Sequence, residues 1–254
     1  MSVSASAMHR RDMPARRQLN SGYAYVRLRP IADIRSYVLN AIMADYYRRM
    51  GKRFALITAV PAIVGFVASW SAGLGLLLFI LMIPAAALIL VTYALVSFAQ
   101  GIRLAGGVEP PWRKAAVIGA APVFLACTLA LAWPFLAAGS FAGSLSRLLV
   151  NRGHYEAIIK KVQLDPRPEW FKEDGNITYS VDVGPPVRVA FNPAGMLDNW
   201  SGIIYDSTGE VMLARGFDPE SGRFFAPDRI TKLFNGDLVS CRHLWGEYYD
   251  CSFT

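Results

Sequence analysis

The chain has 254 residues, 54% hydrophobic and only 18% charged, with a formal charge of +7, against about 25% charge in ordinary globular chains. The shortfall is concentrated: Phe54–Ala99 holds 46 consecutive residues without Asp, Glu, Lys or Arg, and Ala115–Ser146 holds 32 more. Since a spanning helix needs about 20 apolar residues, these runs exclude a disordered, collagenous or purely soluble chain and specify an integral membrane protein.

Residues 1–30 mix Ser, Ala and Arg with little periodicity and read as a flexible basic N-terminal tail. From 31 to 53, Ile31, Ile34, Val38, Ala41, Ile42 and Tyr46 recur near helical spacing, with Arg35, Asn40, Arg48 and Arg49 on the other face. This amphipathic helix could lie on the membrane surface or pack on the loop after the second span.

A single helix over the 46-residue run would reach about 69 Å, against a hydrocarbon core of about 30 Å. It must therefore turn once, and the corner falls at Ser69-Trp70-Ser71-Ala72-Gly73. Spans are expected at about 54–70 and 74–99, with Pro61 and Pro84 inside them. Residues 100–114 form a polar Gly/Pro loop. The third run predicts one span at about 115–138, with an extension that leaves the membrane toward Arg147. Dividing it into two would leave about 16 residues each, below the usual minimum. Gly139-Ser140-Phe141-Ala142-Gly143 matches the GxxxG pattern that permits close helix contact, a match that arises readily by chance in a chain this rich in Ala and Gly.

Residues 147–254 predict a small α+β domain. Leu148, Leu149, Tyr155, Ile158, Ile159 and Val162 mark a helix that ends at Asp165-Pro166. Strands follow at 177–183, 187–191 and 202–205, the last paired with 210–214 through a turn at 206–209, then a short helix at 228–234 and a terminal hairpin. The fold class is thus three transmembrane helices followed by a small α+β domain with an antiparallel sheet. If the hairpin turns at Trp245-Gly246-Glu247, Cys241 and Cys251 face each other within disulfide reach, which suits an oxidising compartment.

Charge divides unevenly: residues 1–53 carry a net +8, 100–114 a net +2 and 147–254 a net −3. With three spans, the Lys/Arg-rich flanks share one side, which places the N-terminus in the cytoplasm and the domain outside. That is the topology of a bacterial inner-membrane protein with a periplasmic domain. A four-span arrangement would gather all the flanking positive charge inside but requires two poor spans. The basic flanks lack a nucleic-acid-binding module and suit lipid head groups instead.

No ionisable residue lies in the spans, which argues against ion-coupled transport. Cys241 and His243 share a strand face with His154 elsewhere, but a structural zinc site wants four ligands, so neither a metal site nor a cofactor is expected. Asp198, Asp206 and His243 are the candidate acid/base residues, with Trp170, Trp200 and Trp245 as aromatic neighbours of the kind a sugar-binding or hydrolytic site uses. Asp and Asn close their own turns equally well. The expectation is a membrane-anchored accessory or interaction protein, possible as a homo-oligomer, whose domain binds a partner or an envelope component. The alternative is an envelope-acting hydrolase.

Overall fold

The computed structural model describes residues 31–196, 199–220 and 222–254; the basic tail and Asp198 lie outside them. Three long helices come first: α1 (Ile31–Trp70), α2 (Ala72–Ala105) and α3 (Pro111–Leu164). At 1.5 Å per residue they reach about 60, 51 and 81 Å, each more than a hydrocarbon core of about 30 Å. These are three helices long and apolar enough to cross a membrane, and the protein is an integral membrane protein.

The corner between α1 and α2 is one residue. Ser71 takes an extended conformation and its Oγ accepts the Leu74 N–H at 3.4 Å, the chemistry of a helix N-cap. The 31–53 segment is no separate surface helix but the first part of α1. Met50 and Phe54, one turn apart, are both buried against Leu90, Ala94, Ala120 and Ala121, so packing carries the helix through Gly51 into the membrane. Tyr46 reinforces this by donating to the Ser97 carbonyl at 2.9 Å.

α1 and α3 approach most closely at glycines. A Cβ on Gly139 would lie 1.9 Å from the Ala62 carbonyl oxygen, one on Gly143 2.5 Å from that of Phe66, and one on Gly65 2.3 Å from that of Leu136. The GxxxG pattern is therefore used, by a partner helix within the same chain. Thr58 and Thr128 bridge the same interface at 3.2 Å. α2 is peripheral and leaves Leu77, Ile80, Leu81, Leu88 and Leu95 exposed. So large an apolar surface is a liability in water; lipid is its solvent.

α3 leaves the bundle without a break, and its last turns form one wall of the domain. The strands are β1 (Phe171–Asp174), β2 (Ile177–Asp182), β3 (Arg188–Met196), β4 (Asn199–Tyr205), β5 (Phe217–Asp218), β6 (Arg223–Phe224), β7 (Lys232–Leu233), β8 (Gly236–Trp245) and β9 (Tyr248–Phe253), with a short α4 at Asp228–Thr231. Seven make an antiparallel sheet in the order β1-β2-β3-β4-β9-β8-β7, and β5 and β6 pair separately. Side chains alternate across the sheet. Val189, Phe191, Ile203 and Tyr248 face Tyr155, Ile158 and Val162 of α3. Ala190, Ile204, Tyr249, Cys251 and Phe253 face Val211, Ile230 and Leu233 on the other side.

Three sequence expectations change in the domain. The strand predicted at 210–214 is a 3₁₀ turn at Glu210–Leu213, because the Asp206 carboxylate captures the Val211 N–H and β9 takes the free edge of β4. The helix predicted at 228–234 closes at Thr231, and residues 232–233 pair with β8. The terminal hairpin has the expected register: Cys241 opposes Cys251, Arg242 opposes Asp250 and His243 opposes Tyr249. Its loop is tighter than predicted, Gly246-Glu247, since Trp245 pairs with Tyr248 and an irregularity before Trp245 absorbs the difference. Gly246 has φ +56, a conformation that favours glycine.

Candidate functional site

Where the sheet meets the C-terminal end of α1 and the middle of α3, a cleft of about 370 Å³ opens. Ser140, Ser144 and Arg147 reach it from α3 because i, i+4 and i+7 share one helix face. Ser240 and Arg242 of β8, with Asp250 and Ser252 of β9, reach it because alternate residues of a hairpin point the same way. Ser69 closes one side, Ser201 another, and the Cys241–Cys251 disulfide, with Cα atoms 4.1 Å apart, joins the wall.

Arg242 fastens the domain to the membrane helices. Its Nε and Nη2 donate to Asp250 Oδ2 at 3.0 and 2.6 Å, Nη1 donates to the Ala137 carbonyl at 3.1 Å, and Nη2 also reaches Ser140 Oγ at 3.1 Å. Its guanidinium lies 5.1 Å from the centre of the Phe141 ring, a cation–π contact. Ser144 Oγ donates to the same Asp250 oxygen at 3.1 Å, and Ser69 Oγ donates to the Ser140 carbonyl at 2.9 Å. Among the described residues the one carboxylate lining the cleft, Asp250, is thereby committed to a cation and a hydroxyl. Arg147 is different: its Nε is buried without a hydrogen-bond partner. A donor left in that state costs about 1–3 kcal/mol; Arg188 Nε behind the sheet shares it, but of the two only Arg147 lines the cleft.

The sequence candidates fall elsewhere. Asp206 is fully buried and its carboxylate is used by its own turn. Oδ1 accepts Thr208 N–H at 3.1 Å and Thr208 Oγ at 2.7 Å, and Oδ2 accepts Val211 N–H at 3.1 Å. Arg188 Nε lies 3.3 Å from Oδ1. Burial pushes this carboxyl upward, but the Thr208 and Val211 hydrogen bonds and the Arg188 charge outweigh it and hold it below the usual range. Arg188 also donates to Glu210 at 3.0 Å, which Arg229 meets at 2.9 Å. This is a structural ion network behind the sheet, and Asp206 does not line the cleft.

His243 is exposed, donates from Nε2 to the Gly246 carbonyl at 2.8 Å and lies beside the Tyr249 ring. It too is absent from the cleft. Asp198 is outside the described residues. His154 pairs with Asp174 at 3.5 Å, and among the described residues no three of His, Cys, Asp and Glu converge as metal ligands. Trp200 stacks on Phe253 at 3.9 Å in the core, while Trp170 and Trp245 are exposed. The residues that sequence reasoning missed are Arg147 and Arg242. For Arg147 a signal existed, the Ser140, Ser144, Arg147 spacing at the end of the charge-free run; for Arg242 its neighbour Cys241 drew the reading instead.

At the opposite end of the bundle, Arg49, Arg53 and Arg103 line a cleft of about 380 Å³ with Tyr46 and Tyr93. Arg53 lies over the Tyr93 ring and Arg49 pairs with Asp45. No protein-family model, curated protein or solved structure matches the chain.

Proposed function

We propose that the chain is a membrane-anchored binding protein whose C-terminal domain, on the periplasmic side of a bacterial inner membrane, receives a partner or envelope component in the cleft above its spans. The observation that carries the reading is Arg147, a cation with a buried and unpartnered Nε in a hydroxyl-lined cleft. Such a site suits an anionic or hydroxyl-rich group. Binding is better supported than hydrolysis. A hydrolase of the two-carboxylate kind needs an acid and a base flanking the scissile bond, whereas among the described residues the cleft presents Asp250 alone, in the grip of Arg242.

The outward placement rests on charge. Arg49, Lys52, Arg53, Arg103, Arg113 and Lys114 flank the same end of the three helices, the pattern of a cytoplasmic face. The Cys241–Cys251 disulfide suits the oxidising side.

Two measurements test the proposal on the full-length chain. With Cys127 changed to Ala and Ser207→Cys placed on an exposed turn, a membrane-impermeant maleimide is expected to label intact cells; labelling only after lysis would overturn the orientation. Molecules co-purifying with the wild type are expected to be lost from Arg147→Gln and from Ser201→Trp, which obstructs the cleft. The same set retained by both variants would remove the cleft as the binding site.

A further inference from the structure

A second cavity, of about 410 Å³, adjoins the cleft on the membrane side. Its walls are Val64, Phe79, Trp133 and Leu136, from all three spanning helices, and it shares Ala68, Ser140 and Arg242 with the polar cleft. The two therefore adjoin, with Arg242 and Ser140 at their common wall. Phe79 and Trp133 are exposed on the helix surface, so the groove is open to the lipid phase. Phe79 and Trp133 belong to the charge-free runs, while Arg147 is the first charge after the second run. Apolar walls at the depth of the acyl chains thus adjoin a hydroxyl-lined cleft that holds Arg147, whose Nε has no hydrogen-bond partner.

From this adjacency we infer that the ligand of the cleft is a membrane amphiphile with an anionic, phosphate-bearing head: its acyl chain lies in the groove beside Phe79, Trp133 and Leu136, and its head passes the shared wall at Arg242 and Ser140 so that its phosphate meets Arg147. The inference deepens the reading of the cleft as a binding site and rests on it. A water-soluble ligand would have no use for the groove. The planar Arg147 guanidinium matches phosphate oxygens, and a zwitterionic bulk lipid would gain less from it because its own ammonium group offsets the phosphate charge.

The test uses the full-length protein in phosphatidylcholine nanodiscs with a trace of phosphatidylglycerol carrying a photoactivatable diazirine in one acyl chain. Crosslinks are expected on peptides containing Phe79 or Trp133. Unlabelled phosphatidylglycerol is expected to compete, with phosphatidylcholine and glycerol 3-phosphate failing to do so. Arg147→Gln is expected to lower the yield about tenfold or more, the value of a lost charge-assisted hydrogen bond, with partial recovery in Arg147→Lys. Ala137→Trp, which projects into the groove from an exposed position, is expected to lower it similarly. An intact Cys241–Cys251 bridge and a monodisperse elution profile establish that each variant is folded.

If phosphatidylcholine competes as well as phosphatidylglycerol, or if crosslinks are scattered over the exposed face of α2, the inference fails. If glycerol 3-phosphate competes fully and Ala137→Trp has no effect, the ligand is a head group alone; the amphiphile is then excluded and the polar cleft survives. If Arg147→Gln changes neither this yield nor the set of co-purifying molecules, both readings fall.

Discussion

Asp206 shows how a single carboxylate can shape the domain without lining its cleft. It holds the 206–211 turn through three hydrogen bonds and neutralises Arg188, which is itself only 2% exposed. Removing one member of a buried ion pair costs about 3–5 kcal/mol when the other is stranded, and the lower end applies here because Glu210 still meets Arg188 at 3.0 Å. Asp206→Asn is therefore expected to lower domain stability by about 3 kcal/mol, read from chemical unfolding of the full-length protein by tryptophan fluorescence. The pH dependence follows from the same contacts. The folded carboxyl titrates below its unfolded value of 3.8, so its stabilisation is complete above about pH 4 and is lost as pH falls through the folded value. The acid limb of the stability profile should flatten in Asp206→Asn; an unchanged limb would assign acid sensitivity to other groups. The disulfide acts at the same scale. It closes a loop across 10 positions, for which chain entropy gives about 2–3 kcal/mol, and reductant is expected to lower the melting temperature of the domain without separating it from the helices.

Among the elements, the α1–α3 contact is the most sensitive. Gly139 and Gly143 bring α3 against the backbone of α1 at Ala62 and Phe66, leaving no room for a side chain. Gly139→Leu is expected to abolish the monodisperse folded protein. Leu88→Ala on the exposed face of α2 should change stability by no more than about 0.5 kcal/mol. Equal tolerance of both would refute the assigned interface. The elements also show where local pattern stops being informative. Ile31–Tyr46 repeats at helical spacing, and a helix forms there. Its continuity into the first span depends on Met50 and Phe54 being buried by α2 and α3, a condition set by distant residues. Glu210–Leu213 carries the apolar run Val211-Met212-Leu213, which suits a short strand, yet β9 occupies the edge it would have used.

At the scale of the whole molecule, two polar regions cap an apolar bundle. The basic cleft at Arg49, Arg53 and Arg103 lies at one end and the Arg147 cleft at the other. If the first sets orientation, replacing Arg53, Arg103, Arg113 and Lys114 with Ala should reduce maleimide labelling of Ser207→Cys in intact cells, because the charge bias that orients the spans is weakened. Undiminished labelling would show that other features orient the chain.

Quantities that depend on neighbours along the chain were readable before any folding was considered. The gaps in charge call for at least three spans, the small residues at 69–73 mark the corner, and a hairpin turning about Gly246 brings Cys241 opposite Cys251, a register the irregularity before Trp245 preserves. Periodicity, charge density and hairpin register are local, and lipid or water reads them directly. The cleft is another matter. Ser140 meets Arg242 across 102 positions and Ser144 meets Asp250 across 106, and no local pattern announces either contact. They exist because α3 continues without a break from the bundle into the domain, carrying Ser140, Ser144 and Arg147 on one face to the place where the last hairpin docks. Long-range packing chose which arginine would be satisfied, Arg242, and which would keep a free donor, Arg147.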